Sequence, residues 1–229
     1  MKKIIVICLL LVTTFTVKAQ EYFELKTYEE NGKYGLLDEN GKKITIAKYD
    51  KFSPKFYEGL CSVKLNNRRG FINIKGEEII KLLYQDVREF NEGFAAVMSS
   101  GYWGYIDKTG KESIYPMFVN AYDFKNGFAR VAKKDSHIPI QSCYAYIGKN
   151  GTRITDFLYA NSSGDFYNGF AIVENCFTFG KGVIDISSNE IIKPDYSNEK
   201  ITFRDGIFFV TKKGIYDELK FDKNGKLIK

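Results

Sequence analysis

Apolar and polar residues alternate in short runs along this chain, and each run is cut off by a turn. Phe94-Ala95-Ala96-Val97 and Trp103-Gly104-Tyr105-Ile106 are two such runs, and Ser99-Ser100-Gly101 separates them. Alternation over so few residues predicts short strands joined by hairpins rather than helices. No stretch after residue 20 carries a convincing helical period, and Lys81 to Phe90 reads as a connector with apolar residues.

The runs recur. Phe90, Gly93, Phe94, Val97, Trp103-Gly104, Ile106-Asp107 and Gly110-Lys111 mark one unit. Phe56, Gly59, Leu60, Val63, Arg69-Gly70, Ile72-Asn73 and Gly76 mark the one before. Phe124, Gly127, Phe128, Val131, Tyr144-Ala145, Ile147 and Gly151-Thr152 mark the one after. Phe56, Phe90 and Phe124 lie 34 residues apart, a regularity that identifies an internal repeat. Weaker copies begin at Phe166 and Phe203, and an N-terminal copy keeps Tyr34-Gly35, Leu37-Asp38 and Gly41-Lys42. Asp-x-x-Gly-Lys, as in Asp107 to Lys111, specifies a tight turn, with Asp capping it and Gly taking the left-handed position.

Side chains of a strand alternate between faces. Gly104 therefore shares a face with Ile106, and Trp103 shares the other with Tyr105. Gly35, Gly70, Gly182 and Gly214 occupy the same slot, with Ala145 the one exception. A glycine inside a strand marks close backbone approach or an aromatic ring laid across it. The column Leu37, Ile72, Ile106, Ile147, Ile184 reads as core that stacking neighbours must bury, because no single unit buries it alone. The expected fold is all-β: a tandem array of short antiparallel hairpins or three-stranded units, about six in number over residues 20–229. An open stack is favoured and propeller-like closure is the alternative, because the last unit loses its register after Gly214 in the manner of an exposed cap.

The Trp-Gly pair followed by an apolar-Asp-x-x-Gly-Lys turn, clearest at Trp103 to Lys111, resembles the WG-repeat proteins. This chain departs from that pattern where Tyr34, Arg69, Tyr144, Lys181 and Lys213 replace Trp. The resemblance implies a β-repeat architecture in a bacterial protein, and almost nothing about activity.

The first residues bear on compartment. Lys2 and Lys3 precede an apolar run from Ile4 to Val17, and Val17-Lys18-Ala19 places small residues around a cut before Gln20. This is the form of a signal peptide over residues 1–19, with a run too short for a membrane span. Cys8 lies within the run rather than at the cut, which argues against a lipoprotein. The expected location is extracytoplasmic, periplasmic or secreted, with no membrane span after cleavage. Cleavage would remove three lysines and lower the formal charge from +6 to +3. So weak and dispersed a charge is no footprint for nucleic acid.

No catalytic motif emerges: no nucleophile elbow, P-loop, dinucleotide fingerprint or zinc spacing. His137, the only histidine, belongs to no repeated position. One acidic residue per turn supplies too few ligands for calcium, and Glu29-Glu30 and Glu77-Glu78 fall at hairpins. No cofactor and no metal are expected. What remains is the residues flanking the glycine. Phe71, Trp103, Tyr105, Tyr144 and Tyr146 form either a second packed face or an aromatic stripe of the kind favoured at binding surfaces. The expectation is a non-enzymatic scaffold binding a protein or an envelope glycan; an extracytoplasmic hydrolase acting on glycan or peptide is the alternative.

Three cysteines follow residue 19. Cys61 takes the slot of Ala95, Ala129 and Ala171 and reads as a small buried residue. Cys143 and Cys176 lie in equivalent loops of consecutive units and are either a disulfide or free thiols.

Overall fold

The computed structural model describes residues 22–53, 55–133, 143–197, 199–212 and 218–228. The described residues form six antiparallel sheets, contain no helix, and have no sheet closed into a barrel. The N-terminal strand Tyr22–Glu24 pairs with Lys55–Tyr57, and the C-terminal Leu227–Ile228 pairs with Glu218–Phe221. Among the described residues no strand pairing joins the two ends, as an open array requires.

One sheet shows the plan of a unit. A valine strand, Phe94–Ser99, pairs with the glycine strand Tyr102–Asp107, which pairs in turn with an outer strand, Glu112–Phe118. A fourth, inner strand of two residues, Asp86–Val87, lies on the far side of the valine strand. The segment read as a connector, Lys81 to Phe90, is thus the end of an outer strand, Glu78–Tyr84, followed by this inner strand. Two residues carry no period, and the outer strand bulges, so alternation shows neither. The Asp-x-x-Gly-Lys turns form as their residues require. Asp107 Oδ1 accepts hydrogen bonds from the amides of Thr109 and Lys111, and Gly110 stands at φ 84°.

The outer-strand bulge explains the glycine slot. Trp103 pairs with Phe118 and Tyr105 with Ile114, so three residues of the outer strand arch over Gly104. A Cβ there would fall onto the carbonyl oxygen of Ile114 and within 2.7 Å of the Pro116 nitrogen. Gly70 and Gly182 lie beneath equivalent arches at Ile80 and Ile192. Gly35 instead accommodates the ring of Tyr28. In the unit of Ala145 the outer segment pairs only through isolated bridges at Arg153 and Tyr159. Gly214 lies outside the described residues. Each valine faces the slot residue of its unit, and Val210 faces Leu219. Leucine is tolerated there because the last outer strand, Leu227–Ile228, pairs only with Lys220 and Phe221 and does not arch over it.

Each unit buries one face on the unit before and the other on the unit after. Phe71 joins Phe90, Ala95, Val97 and Ile106 of the next unit; Tyr105 joins Phe124, Ala129, Val131 and Ile147; Tyr146 joins Phe166, Ala171, Val173 and Ile184. The aromatic pairs at these boundaries repeat their geometry, with ring centroids 4.9 Å, 4.8 Å and 4.9 Å apart. Such tilted and edge-on pairs are worth about 0.5–1.5 kcal/mol each beyond the area they bury. Ile72, Ile106, Ile147 and Ile184 are buried, while Leu37 is only half-buried. The boundaries are also stitched by hydrogen bonds. Glu58 accepts from the amide of Gly93, and Glu92 from that of Gly127, each one unit ahead. Lys149 forms an ion pair with Glu92 at 3.0 Å.

Cys143 and Cys176 form a disulfide, packed beside Ala160 and Phe157 between the fourth and fifth units. Cys61 is a free, fully buried thiol in the alanine slot, and burial pushes its pKa up.

Two outcomes follow from this packing. Gly104→Val should lower stability by about 1–3 kcal/mol through overpacking against the arch; a thermal melt matching that of the parent protein would refute the arch argument. Thiol titration of denatured, unreduced protein lacking residues 1–19 should find one reactive group, mapped to Cys61. Reduction should cost roughly 3–4 kcal/mol in the chain-entropy treatment of a loop closed across 33 residues. Three reactive thiols before reduction would contradict the bridge.

Candidate binding edge

The five residues proposed from sequence as an aromatic stripe are all buried: Phe71 and Tyr105 completely, Tyr146, Tyr144 and Trp103 nearly so. As an exposed stripe that reading is corrected. They form the second packed face, because the unit ahead stacks on it. Buried tyrosines at these boundaries spend their hydroxyls on the next unit's backbone: Tyr105 donates to Tyr122 O at 2.6 Å, and Tyr146 to Gly164 O. Burial pushes both phenols up in pKa. His137 and residues 1–19 lie outside the described residues.

Charge gathers instead along the edge carrying the inner strands, around the half-buried Tyr122. Arg69 Nε pairs with Asp86 at 2.9 Å. The Arg88 guanidinium lies 5.3 Å from the Trp103 ring and 5.0 Å from the Tyr122 ring, and it donates to Asn120 Oδ1 at 3.3 Å. Asn120 Nδ2 in turn donates to the Tyr144 hydroxyl. Arg130 stacks on Tyr122 at 4.5 Å and pairs with Asp165, which also holds Lys125. The edge is therefore a ladder of cations on rings, tied laterally by carboxylates and amides across consecutive units. Cation–π contacts of this kind contribute about 0.5–2 kcal/mol, more where water is excluded.

Trp103 and Tyr144, read from sequence as surface, thus take part as supports for Arg88 and Asn120. Asp86, Arg88, Glu89, Tyr122, Asp123 and Arg130 were not singled out from sequence. A signal was there. The residue before the repeated Phe is acidic three times running, as Glu89, Asp123 and Asp165.

Between the second and third units this edge opens into a cleft of about 460 Å³, lined by Lys51, Phe52, Ser53, Lys55, Ser62, Arg69, Asp86, Val87 and Glu89. The Ser62 hydroxyl donates to Glu89 Oε1 at 2.9 Å. Among the described residues, Glu89 Oε2, Arg88 Nε and Asp123 Oδ1 are buried atoms without a hydrogen-bond partner. Such atoms are costly and concentrate where a protein meets water or ligand. Burial pushes the Glu89 carboxyl above the usual carboxylate range, against the hydrogen bonds of Ser62 and Ser53. Burial does the same to Asp123, against the charges of Arg88 and Lys125. The described residues contain no cluster of metal-ligating side chains.

The WG containing repeat family matches residues 34–68, 70–103 and 103–135. No curated protein matches the sequence. Among solved structures, Hsv2 of Kluyveromyces lactis is 13% identical with a TM-score of 0.37, over 75% of this chain and 58% of its own length. A eukaryotic initiation factor is 11% identical with a TM-score of 0.43, over 90% of this chain and 73% of its own. AztD of Citrobacter koseri is 11% identical with a TM-score of 0.29, over 86% and 74%.

The pH dependence of stability checks the edge. A carboxyl whose folded pKa is raised binds its proton more tightly folded than unfolded. Its stabilising contribution is complete below the unfolded value of about 4, and is lost as pH rises through the folded value. Glu89→Gln and Asp123→Asn remove that loss, so each variant's melting temperature relative to the parent should climb as pH rises from about 4 to 8. A difference independent of pH would show that neither group is perturbed.

Proposed function

We propose that this chain, a WG repeat protein over residues 34–135, is a secreted or periplasmic bacterial scaffold. It catalyses no reaction and binds a protein or an envelope glycan along its inner-strand edge. The observation that carries the reading is the contrast between the two sets of aromatic residues. Those at unit boundaries are spent on packing, whereas Tyr122 lies with Arg88 and Arg130 along one charged edge beside a cleft. Repeat arrays present extended surfaces of this kind to partners, and Arg and Tyr are favoured at binding hot spots. The residue 1–19 segment and the Cys143–Cys176 disulfide support an oxidising, extracytoplasmic location.

One observation favours a hydrolase as the second reading: Glu89, with its raised pKa, lines the same cleft as Asp86. Raised carboxyls of this kind serve as general acids.

Protein lacking residues 1–19, used as bait on bacterial envelope extract, should retain a specific protein or glycan. Arg88→Gln should release it, with the melting temperature recorded alongside to separate lost binding from lost folding. Recovery of nothing specific would remove the scaffold reading. Cleavage of the retained glycan or peptide, abolished by Glu89→Gln, would replace it with the hydrolase.

A further inference from the structure

The cleft between the second and third units has a chemistry of its own. Its floor is apolar, supplied by Phe52, which is 9% exposed, and by Val87. Its rim is cationic. Lys51 is exposed, and Lys55 and Arg69 also line the cleft, Arg69 with its Nε on Asp86. Hydrogen-bonding groups also line it: the hydroxyls of Ser53 and Ser62 and the carboxyls of Asp86 and Glu89. Ser62 already occupies Glu89 Oε1, leaving Oε2 as a buried acceptor.

A ligand that satisfies all three zones needs a negative group for the rim, a hydroxyl to donate to Glu89, and an apolar face for Phe52. A bare anion meets only the first requirement, and a neutral sugar only the last two. A pyranose ring bearing a carboxylate meets them all: its C–H face is apolar, its hydroxyls donate and accept, and its acid is planar like guanidinium. The volume of about 460 Å³ lies within the roughly 300–1,000 Å³ of small-molecule sites.

We infer that this cleft binds a carboxylated sugar residue of an envelope glycan, with its carboxylate between Lys51 and Arg69 and a ring hydroxyl donating to Glu89. The inference rests on the scaffold reading and selects the glycan among its two partner classes. The rest of the inner edge, from Arg88 to Asp165, would then bear on neighbouring residues of the same chain of sugars.

The test is titration of protein lacking residues 1–19 with glucuronic acid, glucose and sodium acetate, followed by calorimetry or amide chemical shifts. Glucuronic acid should bind at least about 10-fold more tightly than either control, the discrimination expected from hydrogen bonds to charged groups. Shifts should centre on Ser53, Ser62 and Glu89. Lys51→Ala, a change at an exposed residue that leaves the core intact, should weaken binding about 10-fold, and Glu89→Gln by a similar factor with the melting temperature recorded alongside. Acetate binding as tightly as glucuronic acid would reduce the cleft to an anion site and overturn the inference, as would the absence of glucuronic acid binding. If envelope capture persists in both variants, the scaffold reading stands and the sugar site falls.

Discussion

Every unit of this chain has two apolar faces and cannot bury either by itself. That constraint is met at one repeated contact: the side chain following the slot glycine inserts against the repeated Phe of the unit ahead. The pairs are Phe71 with Phe90, Tyr105 with Phe124 and Tyr146 with Phe166. At the first boundary Leu36 meets Phe56 within one cluster. Sequential stacking of this kind makes stability a sum over neighbours. It also fixes the spacing of the units, because the ring must arrive opposite the same alanine, valine and isoleucine each time.

The glycine slot is a consequence of that contact. Bringing the inserted side chain to full burial leaves the outer strand to bulge over the residue before it, and only a residue without a side chain fits beneath the arch. Where the outer strand is reduced to bridges or to two residues, the slot also admits alanine or leucine, and Gly35 is instead required by the ring of Tyr28. The boundary carboxylates at Glu58 and Glu92 act on the same problem from the turn side, each fixing a glycine amide of the following unit.

Packing of the faces also decides what is left for binding. With the aromatic residues of the glycine strands committed to the interior, exposed chemistry is confined to strand edges. Along the inner edge, cations rest on rings and carboxyls are crowded by burial, and the cleft at Lys51, Arg69 and Glu89 opens where consecutive units diverge. The edge is held by the same repeat that builds the core, since Arg88, Tyr122 and Asp123 precede the inserted Phe by one or two positions in their units.

Spacing and alternation were enough to expose the repeat, the hairpins, the turn at Asp107 and the isoleucine column, because those depend on interactions within a unit or on one period copied many times. They also placed Cys61 in an alanine slot. They did not separate the two meanings of Trp103, Tyr105 and Tyr146. An aromatic on the second face of a strand reads alike whether water or another sheet covers it, and only the stacking of units decides between them. Nor could alternation find the inner strand at Asp86–Val87, too short to show a period, or the bulge over Gly104, which breaks one. The pairing of Arg69 with Asp86, the seat of Arg88 on Trp103 and the hydrogen bond of Ser62 to Glu89 all join residues from different strands, two of them from different units. Their distances are set by how the sheets stack, and that is a property of the tertiary structure alone.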